Sequence, residues 1–202
     1  RKTTAPKVAT PPVAEELPVA PAVTSSAPRT RMMVRKPQWS IGIRYISWQD
    51  ELKIREGDFL DKGLAQYTGQ ALVVERDFFR GTWGFGYSGG FGVGTARRGD
   101  FEGSTSYAIN KADWSAALLS GKIFRVVSQR TLLGIELPVI FRGIEWPTGG
   151  NRFTVSPVGQ PQPGLTADLK VRLNRSWDFT QAIGAIQGGT GPLWRIGVNY
   201  IF

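Results

Sequence analysis

The side chains that could carry chemistry in this 202-residue chain are carboxylates, lysines and arginines, because it contains no His and no Cys. Without His the chain lacks the most common general base and metal ligand, and without Cys it lacks disulfides and thiolate metal sites. The acidic pairs Asp50/Glu51 and Asp58/Asp61 read as parts of a solvated loop, with bridging by calcium or another divalent cation as the alternative. No Ser-Lys or paired-carboxylate arrangement indicates a catalyst. The sequence therefore predicts no enzyme, no metal site and no cofactor.

Charged residues recur at every second position of otherwise apolar segments. In "LTADLKVRL", residues 165–173, Leu and Val alternate with polar residues, a period typical of a β-strand that has one apolar and one polar face. Opposite charges on the polar face can pair, as burial of that face would require. A row of glycines at 84, 86, 90, 92 and 94 would leave room for long side chains from other strands. The predicted charge network consists of Arg44, Glu136, Arg142, Asp168, Lys170, Arg172 and Arg195.

Eight segments with this alternation follow Pro37 and predict an all-β fold. They cover about 38–49, 66–78, 82–96, 114–127, 131–145, 164–174, 177–187 and 192–202. Short joins near 79–81, 128–130 and 175–176 alternate with long connections at 50–65, 97–113 and 146–163, and a short "GGTG" is the exception. Eight antiparallel strands can close into an up-and-down barrel that has no free edge.

The positions of the seven Trp residues bear on which face of the barrel is outside. Trp39, Trp83 and Trp177 lie at strand ends next to the short joins. The strand ends next to the long connections carry Trp48, Trp114, Trp146 and Trp194. Two aromatic bands at opposite rims are typical of a barrel that spans a membrane, because amphipathic rings are favoured at the headgroup level. A soluble barrel with the apolar face inside is the alternative.

Residues 1–37 differ from the rest of the chain. They are rich in Pro and Ala, have no apolar periodicity, and carry seven basic against two acidic residues. We expect an extended or disordered arm, either a solvated linker or a segment that binds a partner. The chain has a net charge of +9, but without a basic helix or an aromatic RNA-binding platform we do not expect nucleic-acid binding. It opens with Arg1 and without an apolar signal core, which we interpret as a processed chain.

The segment "RIGVNYIF", residues 195–202, resembles the C-terminal signal by which bacterial outer-membrane barrels are recognised for insertion. Arg195, Gly197, Tyr200 and Phe202 occupy the positions of that signal. Together with the eight strands, residues 38–202 resemble the small eight-stranded OmpA/OmpX-type transmembrane barrels of Gram-negative bacteria. The resemblance does not extend to residues 1–37.

The resemblance implies a location in the bacterial outer membrane with both termini in the periplasm. The implied partners are membrane lipid, lipopolysaccharide and, during insertion, the barrel-assembly machinery. Lipopolysaccharide phosphates would be contacted by Arg97, Arg98 and Lys111. Lipid A deacylases, palmitoyl transferases and omptin proteases are enzymes among such barrels, but they rely on a His that this chain lacks.

Since side chains fill an eight-stranded barrel, an open pore is not expected. We expect an anchor or structural barrel, an accessory subunit of an envelope complex whose protein partner binds residues 1–37. The alternatives are a general envelope-integrity barrel without a fixed partner and a narrow pore.

Overall fold

The structure is a computed structural model that describes residues 36–101, 111–146, 154–156 and 160–202. The predicted N-terminal arm therefore lies almost wholly outside the described residues. Within the described ranges all regular structure is β, and no helix is long and apolar enough to cross a membrane. The strands are β1 (Gln38–Glu56), β2 (Phe59–Arg80), β3 (Trp83–Phe101), β4 (Lys111–Val126), β5 (Thr131–Ile144), β6 (Thr154–Ser156), β7 (Gln162–Arg172), β8 (Trp177–Ile186) and β9 (Leu193–Ile201).

Eight long antiparallel strands close into a ring. Each strand pairs with the next along the chain, except that β5 pairs with β7 past the three-residue β6. The ring closes where β9 pairs with β1, from Ser40↔Ile201 to Ser47↔Trp194. β6 adds to the edge of β1 at Lys53–Arg55. The predicted fold class, an eight-stranded antiparallel up-and-down barrel, is confirmed.

The short connections lie together at one end of the barrel, which we call the turn end. Gly81 has a φ of +64° in the two-residue link between β2 and β3, a conformation that favours glycine. Ser128 closes the β4–β5 turn, where its Oγ accepts from the backbone N–H groups of Arg130 and Thr131 at 3.1 and 3.0 Å. Asn174 closes the β7–β8 turn in the same way. These turns match the predicted short joins, and both the start of β1 and the end of β9 lie beside them.

The opposite end, the loop end, differs from the prediction. The expected loop at 50–65 is wrong, because β1 and β2 remain paired up to Glu56↔Phe59 and turn at Gly57 and Asp58. Leu52 and Ile54 face inward and are fully buried, whereas Glu51 and Lys53 face outward. The alternation continues, but charged residues occupy the outward positions, so the apolar signal weakens. The predicted connections at 97–113 and 146–163 lie partly outside the described residues.

The two faces of the sheet follow the alternation in the sequence. On β9, Trp194, Val198 and Tyr200 are exposed on the outer surface, while Arg195 and Asn199 are buried inside. The other strands also alternate between inward and outward side chains. The outer surface therefore carries large apolar side chains, and the interior carries most of the buried charge.

Glycines on the inward face of β3 leave space for side chains from other strands, as predicted. A Cβ on Gly94 would lie 2.8 Å from the Trp114 ring, and one on Gly86 would lie 2.8 Å from Cε of Lys122. Both positions are therefore occupied by their neighbours' side chains. The glycine row is what admits Trp114 and Lys122 into a narrow barrel.

Candidate functional site: the barrel interior and its rims

An ionic cluster crosses the middle of the barrel and is formed by Arg44, Glu75, Asp77, Lys122 and Lys170. Glu75 on β2 pairs with Arg44 on β1, Lys122 on β4 and Lys170 on β7. The distance from Lys122 Nζ to Glu75 Oε1 is 2.6 Å. Asp77 accepts from Lys170 at 2.6 Å and lies 3.0 Å from Lys122 Nζ. The Glu75 carboxylate thus pairs with cations from three other strands, and Asp77 shares two of them.

Two further ion pairs flank this cluster. The guanidinium of Arg195 binds Glu136 through both nitrogens, at 3.0 and 2.6 Å, and also donates to Thr166 Oγ1 at 3.1 Å. Towards the turn end, Arg172 donates to Asp178 at 2.5 Å and to Gln38 at 2.7 Å. The bidentate geometry of the Arg195–Glu136 pair fixes the orientation of both side chains, because two parallel N–H groups of the guanidinium meet the two oxygens of the carboxylate.

The structure places the seven predicted network residues as follows. Six are buried inside the barrel, and Arg172 is half-buried near the turn end. Asp168 is buried, but no cation among the described residues lies within ion-pair distance of it. Sequence reasoning missed the interior residues Asp50, Glu75, Asp77, Lys122 and Asp178. Their signal was available, since "VVERDFF" continues the alternation at Glu75 and Asp77.

The interior charges balance. Counted over the described residues, the inward side chains comprise six acids and six bases, so the interior has a formal charge of zero. The excess positive charge of the chain must therefore lie elsewhere. The acids are Asp50, Glu75, Asp77, Glu136, Asp168 and Asp178, and the bases are Arg44, Lys122, Arg142, Lys170, Arg172 and Arg195.

An aromatic layer fills the interior nearer the loop end. The Trp48 ring stacks on Tyr67 and meets Trp114 edge-on, with centroids 4.7 and 5.0 Å away. Within this layer Asp50 pairs with Arg142, and it accepts from Trp48 Nε1 at 3.2 Å. Asp50 is thus a buried ion-pair partner and not part of a solvated loop, which corrects the prediction.

The predicted aromatic bands need correction at three positions. Trp48, Trp114 and Trp146 are buried inside and do not lie on the outer surface. Their position along the strand places these residues at a rim, but alternation places them inside, since Trp48 lies on the same inward face of β1 as Arg44. Trp39, Trp83 and Trp177 lie on the outer surface near the turn end, and Trp194 lies on it at the loop end.

Little free volume is left between the two layers. A cavity lined by Arg44, Ser88, Leu118 and Arg195, among others, has a volume of about 10 Å³. This is close to the space that one water molecule needs. The described residues also contain no group of three or more acidic side chains arranged to hold a metal ion. The interior is closely packed, and its main ion pairs form among its own side chains.

The residues of the predicted insertion signal lie on both faces of β9. Arg195 binds Glu136 inside, and Gly197 lies where a Cβ would come within 2.9 Å of Arg44 Cγ. Outside, the Tyr200 ring meets Trp177 edge-on at 5.4 Å. Phe202 is exposed, and its backbone N–H donates to the Trp39 carbonyl at 3.1 Å.

Basic residues surround the turn end on its outer side. Arg76 stacks over the Trp39 ring at 4.8 Å, and Arg125 lies over Trp83 at 5.8 Å. In the described ranges, the acids near this end are Glu75, Asp77 and Asp178, and all three are buried inside. The outer rim therefore carries only positive side chains. This basic collar consists of Lys36, Arg76, Arg80, Arg125, Arg130 and Arg175.

The residues predicted to contact lipopolysaccharide lie at the loop end. Arg97 on β3 and Lys111 on β4 are cross-strand neighbours, and both are exposed. Asp113, two residues along β4, is also exposed on that face. The side chain of Arg98 lies outside the described part of the chain.

Comparisons with known proteins give matches to solved structures only. No protein-family model and no curated protein matches the chain. Ail, the attachment invasion locus protein of Yersinia pestis, is 17% identical to this chain with a TM-score of 0.38. The match covers 83% of this chain and all of Ail. Neisserial surface protein A is 8% identical with a TM-score of 0.41 and the same coverage. The KdgM porin is 13% identical with a TM-score of 0.32, and the match covers 81% of this chain and 99% of the porin.

By its own geometry, the described part of the chain has the architecture of a small outer-membrane barrel. Eight antiparallel strands form a ring with an apolar exterior and a charged interior.

Proposed function

We propose that the chain is an integral protein of the bacterial outer membrane whose barrel acts as a closed anchor. The observation that carries this proposal is the apolar outer surface. Phe85, Ile123 and Ile135, neighbours on three adjacent strands, are exposed by 55, 64 and 59%. Lipid would bury these side chains, and the closed ring leaves no strand edge unpaired in hydrocarbon.

The packed interior supports an anchor over a pore. The ionic cluster and the aromatic layer fill the cross-section at two levels, and the charges of the described interior balance as a whole. A solute would have to displace ion pairs such as Lys122–Glu75, whose side chains are at least 96% buried. Breaking such a pair in the interior costs about 3–5 kcal/mol. We therefore assign no transport activity to the barrel.

The proposed orientation puts the turn end in the periplasm. Residue 38 begins β1 at this end, and residues 1–37 precede it. We propose that this basic, Pro-rich arm binds a periplasmic or membrane protein, which makes the barrel an accessory subunit of an envelope complex. A Pro-rich segment loses little conformational entropy on binding, and its charge suits an acidic groove.

The same orientation exposes the loop end to the outside. Arg97 and Lys111, adjacent on β3 and β4, are proposed to contact lipopolysaccharide phosphates there. The distal hairpin, residues 48–67, continues beyond the apolar surface for about 30 Å if each residue advances 3.3 Å. Its outward side chains Glu51, Lys53 and Lys62 are charged, as expected of a segment in water.

The anchor proposal is tested in two steps. The full chain should fractionate with outer membranes and require detergent for extraction, and the unheated protein should migrate differently on gels from the boiled protein. In planar bilayers the purified protein should give no conductance above leak. Discrete channel openings would contradict a closed interior, and release without detergent would contradict the membrane location.

The partner proposal is tested by deleting residues 1–36. Purification from native membranes should recover a specific protein with the full chain and lose it with the deletion, while the barrel still inserts. A variant with Arg29, Arg31, Arg35 and Lys36 changed to Gln serves as the matched control for charge. If the deletion changes no partner, the alternative of an envelope-integrity barrel without a fixed partner is favoured.

A further inference from the structure

A groove runs over the outer face of β3, β4 and β5 at the turn end. This open groove has a volume of about 760 Å³ and is lined mainly by apolar side chains, including Phe85, Ile123, Leu133, Ile135 and Leu137. Gly121 forms its floor, since this residue has no side chain between its cross-strand neighbours Tyr87 and Leu137. A Cβ at Gly121 would meet no atom within 4 Å. The groove therefore exists because a glycine occupies an outward position among large residues.

Arg125 lines the turn end of this groove, and Arg80 lies beside that end, on the far side of Trp83. Arg80, Trp83 and Arg125 are successive neighbours across β2, β3 and β4, and all three are exposed. Adjacent strands are about 4.8 Å apart, so the two arginine backbones are separated by about 10 Å. Their long side chains can converge on one anion in front of Trp83. Among the described residues, neither arginine forms an ion pair with a carboxylate.

We propose that this groove holds an acyl chain of an anionic glycerophospholipid whose phosphate is bound by Arg80 and Arg125. The inference rests on the proposed membrane location. Every outward apolar residue would touch lipid, but a concave apolar surface that ends at two cations selects one lipid over its neighbours. A groove of this volume is within the range of small-molecule sites. A second copy of the chain or an apolar helix would leave the arginines without an anion.

Native mass spectrometry of the full chain in detergent micelles tests the proposal. Phosphatidylglycerol and phosphatidylcholine with identical acyl chains are titrated separately. We expect one phosphatidylglycerol to bind at least about tenfold more tightly than phosphatidylcholine. Both lipids offer a phosphate for charge-assisted contacts with the guanidinium groups, but the quaternary ammonium of phosphatidylcholine offsets its negative charge and would be repelled by the two arginines. The double variant Arg80→Gln/Arg125→Gln should lose this preference. Gly121→Leu, which fills the groove, should weaken binding of both lipids at least about tenfold.

Matched controls come from the loop end of the same outer surface. At Gly143 on β5 a Cβ would meet Ser115 Oγ at an ordinary 3.5 Å, so Gly143→Leu adds equal bulk away from the groove. Lys53→Gln/Lys62→Gln removes equal charge at two exposed positions that are cross-strand neighbours on β1 and β2. Both control variants should bind phosphatidylglycerol like the wild type. Gel mobility before and after heating reports whether each variant is folded. If Gly121→Leu does not fold, the double variant Arg80→Gln/Arg125→Gln decides the test.

The outcomes separate this inference from the membrane location. If the wild type inserts in membranes but binds both lipids equally, or if the arginine variant keeps the preference, the lipid site is overturned and the anchor remains. Dimerisation through the groove without bound lipid also overturns the lipid site. If the wild type is soluble without detergent, the membrane location fails, and the lipid site fails with it.

Discussion

Trp48 on β1 and Tyr67 on β2 stack inside the barrel, with ring planes 4° apart and centroids 4.7 Å apart. Arg142 on β5 lies over the Tyr67 ring at 4.4 Å. These residues connect three strands inside the barrel near the loop end. The stack shows that part of the aromatic content of this chain serves the interior and not the surface.

The inside and outside positions of Trp residues predict different responses to lipid. In vesicles with brominated acyl chains, Trp83 should be quenched because it is 56% exposed on the outer surface, whereas Trp114 is 3% exposed inside. Trp83→Phe should therefore reduce the quenchable part of the fluorescence. Trp114→Phe should reduce total fluorescence and leave the quenchable part unchanged. Equal effects of the two substitutions would contradict the assignment of the faces.

Removal of the central carboxylate should destabilise the barrel strongly. Glu75→Gln leaves Arg44, Lys122 and Lys170 with one acid fewer in a site from which water is largely excluded. We expect the free energy of unfolding in micelles to fall by about 3–5 kcal/mol, the range for breaking a buried ion pair. Urea titration followed by Trp fluorescence measures it. Glu51→Gln, at an exposed pair with Lys62 of 3.5 Å, is the control and should cost less than about 1 kcal/mol.

Gly94, on the inward face of β3, should tolerate no side chain. In Gly94→Ala the new Cβ would lie 2.6 Å from Gly69 Cα and 2.8 Å from the Trp114 ring, so backbone must shift. We expect a loss of about 1–3 kcal/mol, as for overpacked cores. Gly121→Ala is the matched control, because it adds the same methyl group to open space on the outer face. Alanine is favoured over glycine in a strand, so the control should be neutral or slightly stabilising. Equal losses in both variants would contradict the interior packing.

The sequence predicts the ring and its faces well because alternation records which side of a strand is buried. The parity of β7 and β9 follows directly from residues 165–173 and 195–202. In the distal hairpin the alternation continues, but the polar face is now the outer one. Glu51 and Lys53 face outward, whereas Leu52 and Ile54 are buried inside, so an apolar outer face is the wrong guide there. Parity also assigns Trp48 and Trp114 to the interior, so position along the strand alone was a misleading signal.

Ion-pair partners are less predictable than faces. The polar face of β7 identifies Asp168 and Lys170 as interior residues, but strand register decides which of them meets an opposite charge. Lys170 reaches Glu75 and Asp77 on β2, a strand with which β7 does not pair. Such contacts cross the barrel and depend on its diameter and on glycines that make space. No local pattern in the sequence contains that information.

The Asp50–Arg142 pair should couple energetically, because it is enclosed by the aromatic layer. Among the described residues, Nε and Nη2 of Arg142 have no hydrogen-bond partner, so Asp50 is the acceptor for its charge. Asp50→Asn and Arg142→Gln should each destabilise the barrel by leaving one buried charge unpaired.

The double variant removes both charges and should recover part of that loss. We expect a coupling of about 1–3 kcal/mol in a double-mutant cycle measured by urea unfolding. The same cycle at the exposed Glu51–Lys53 pair, 3.9 Å apart, should give less than about 1 kcal/mol. Strictly additive losses at Asp50 and Arg142 would mean that water reaches this pair and that the loop end is open.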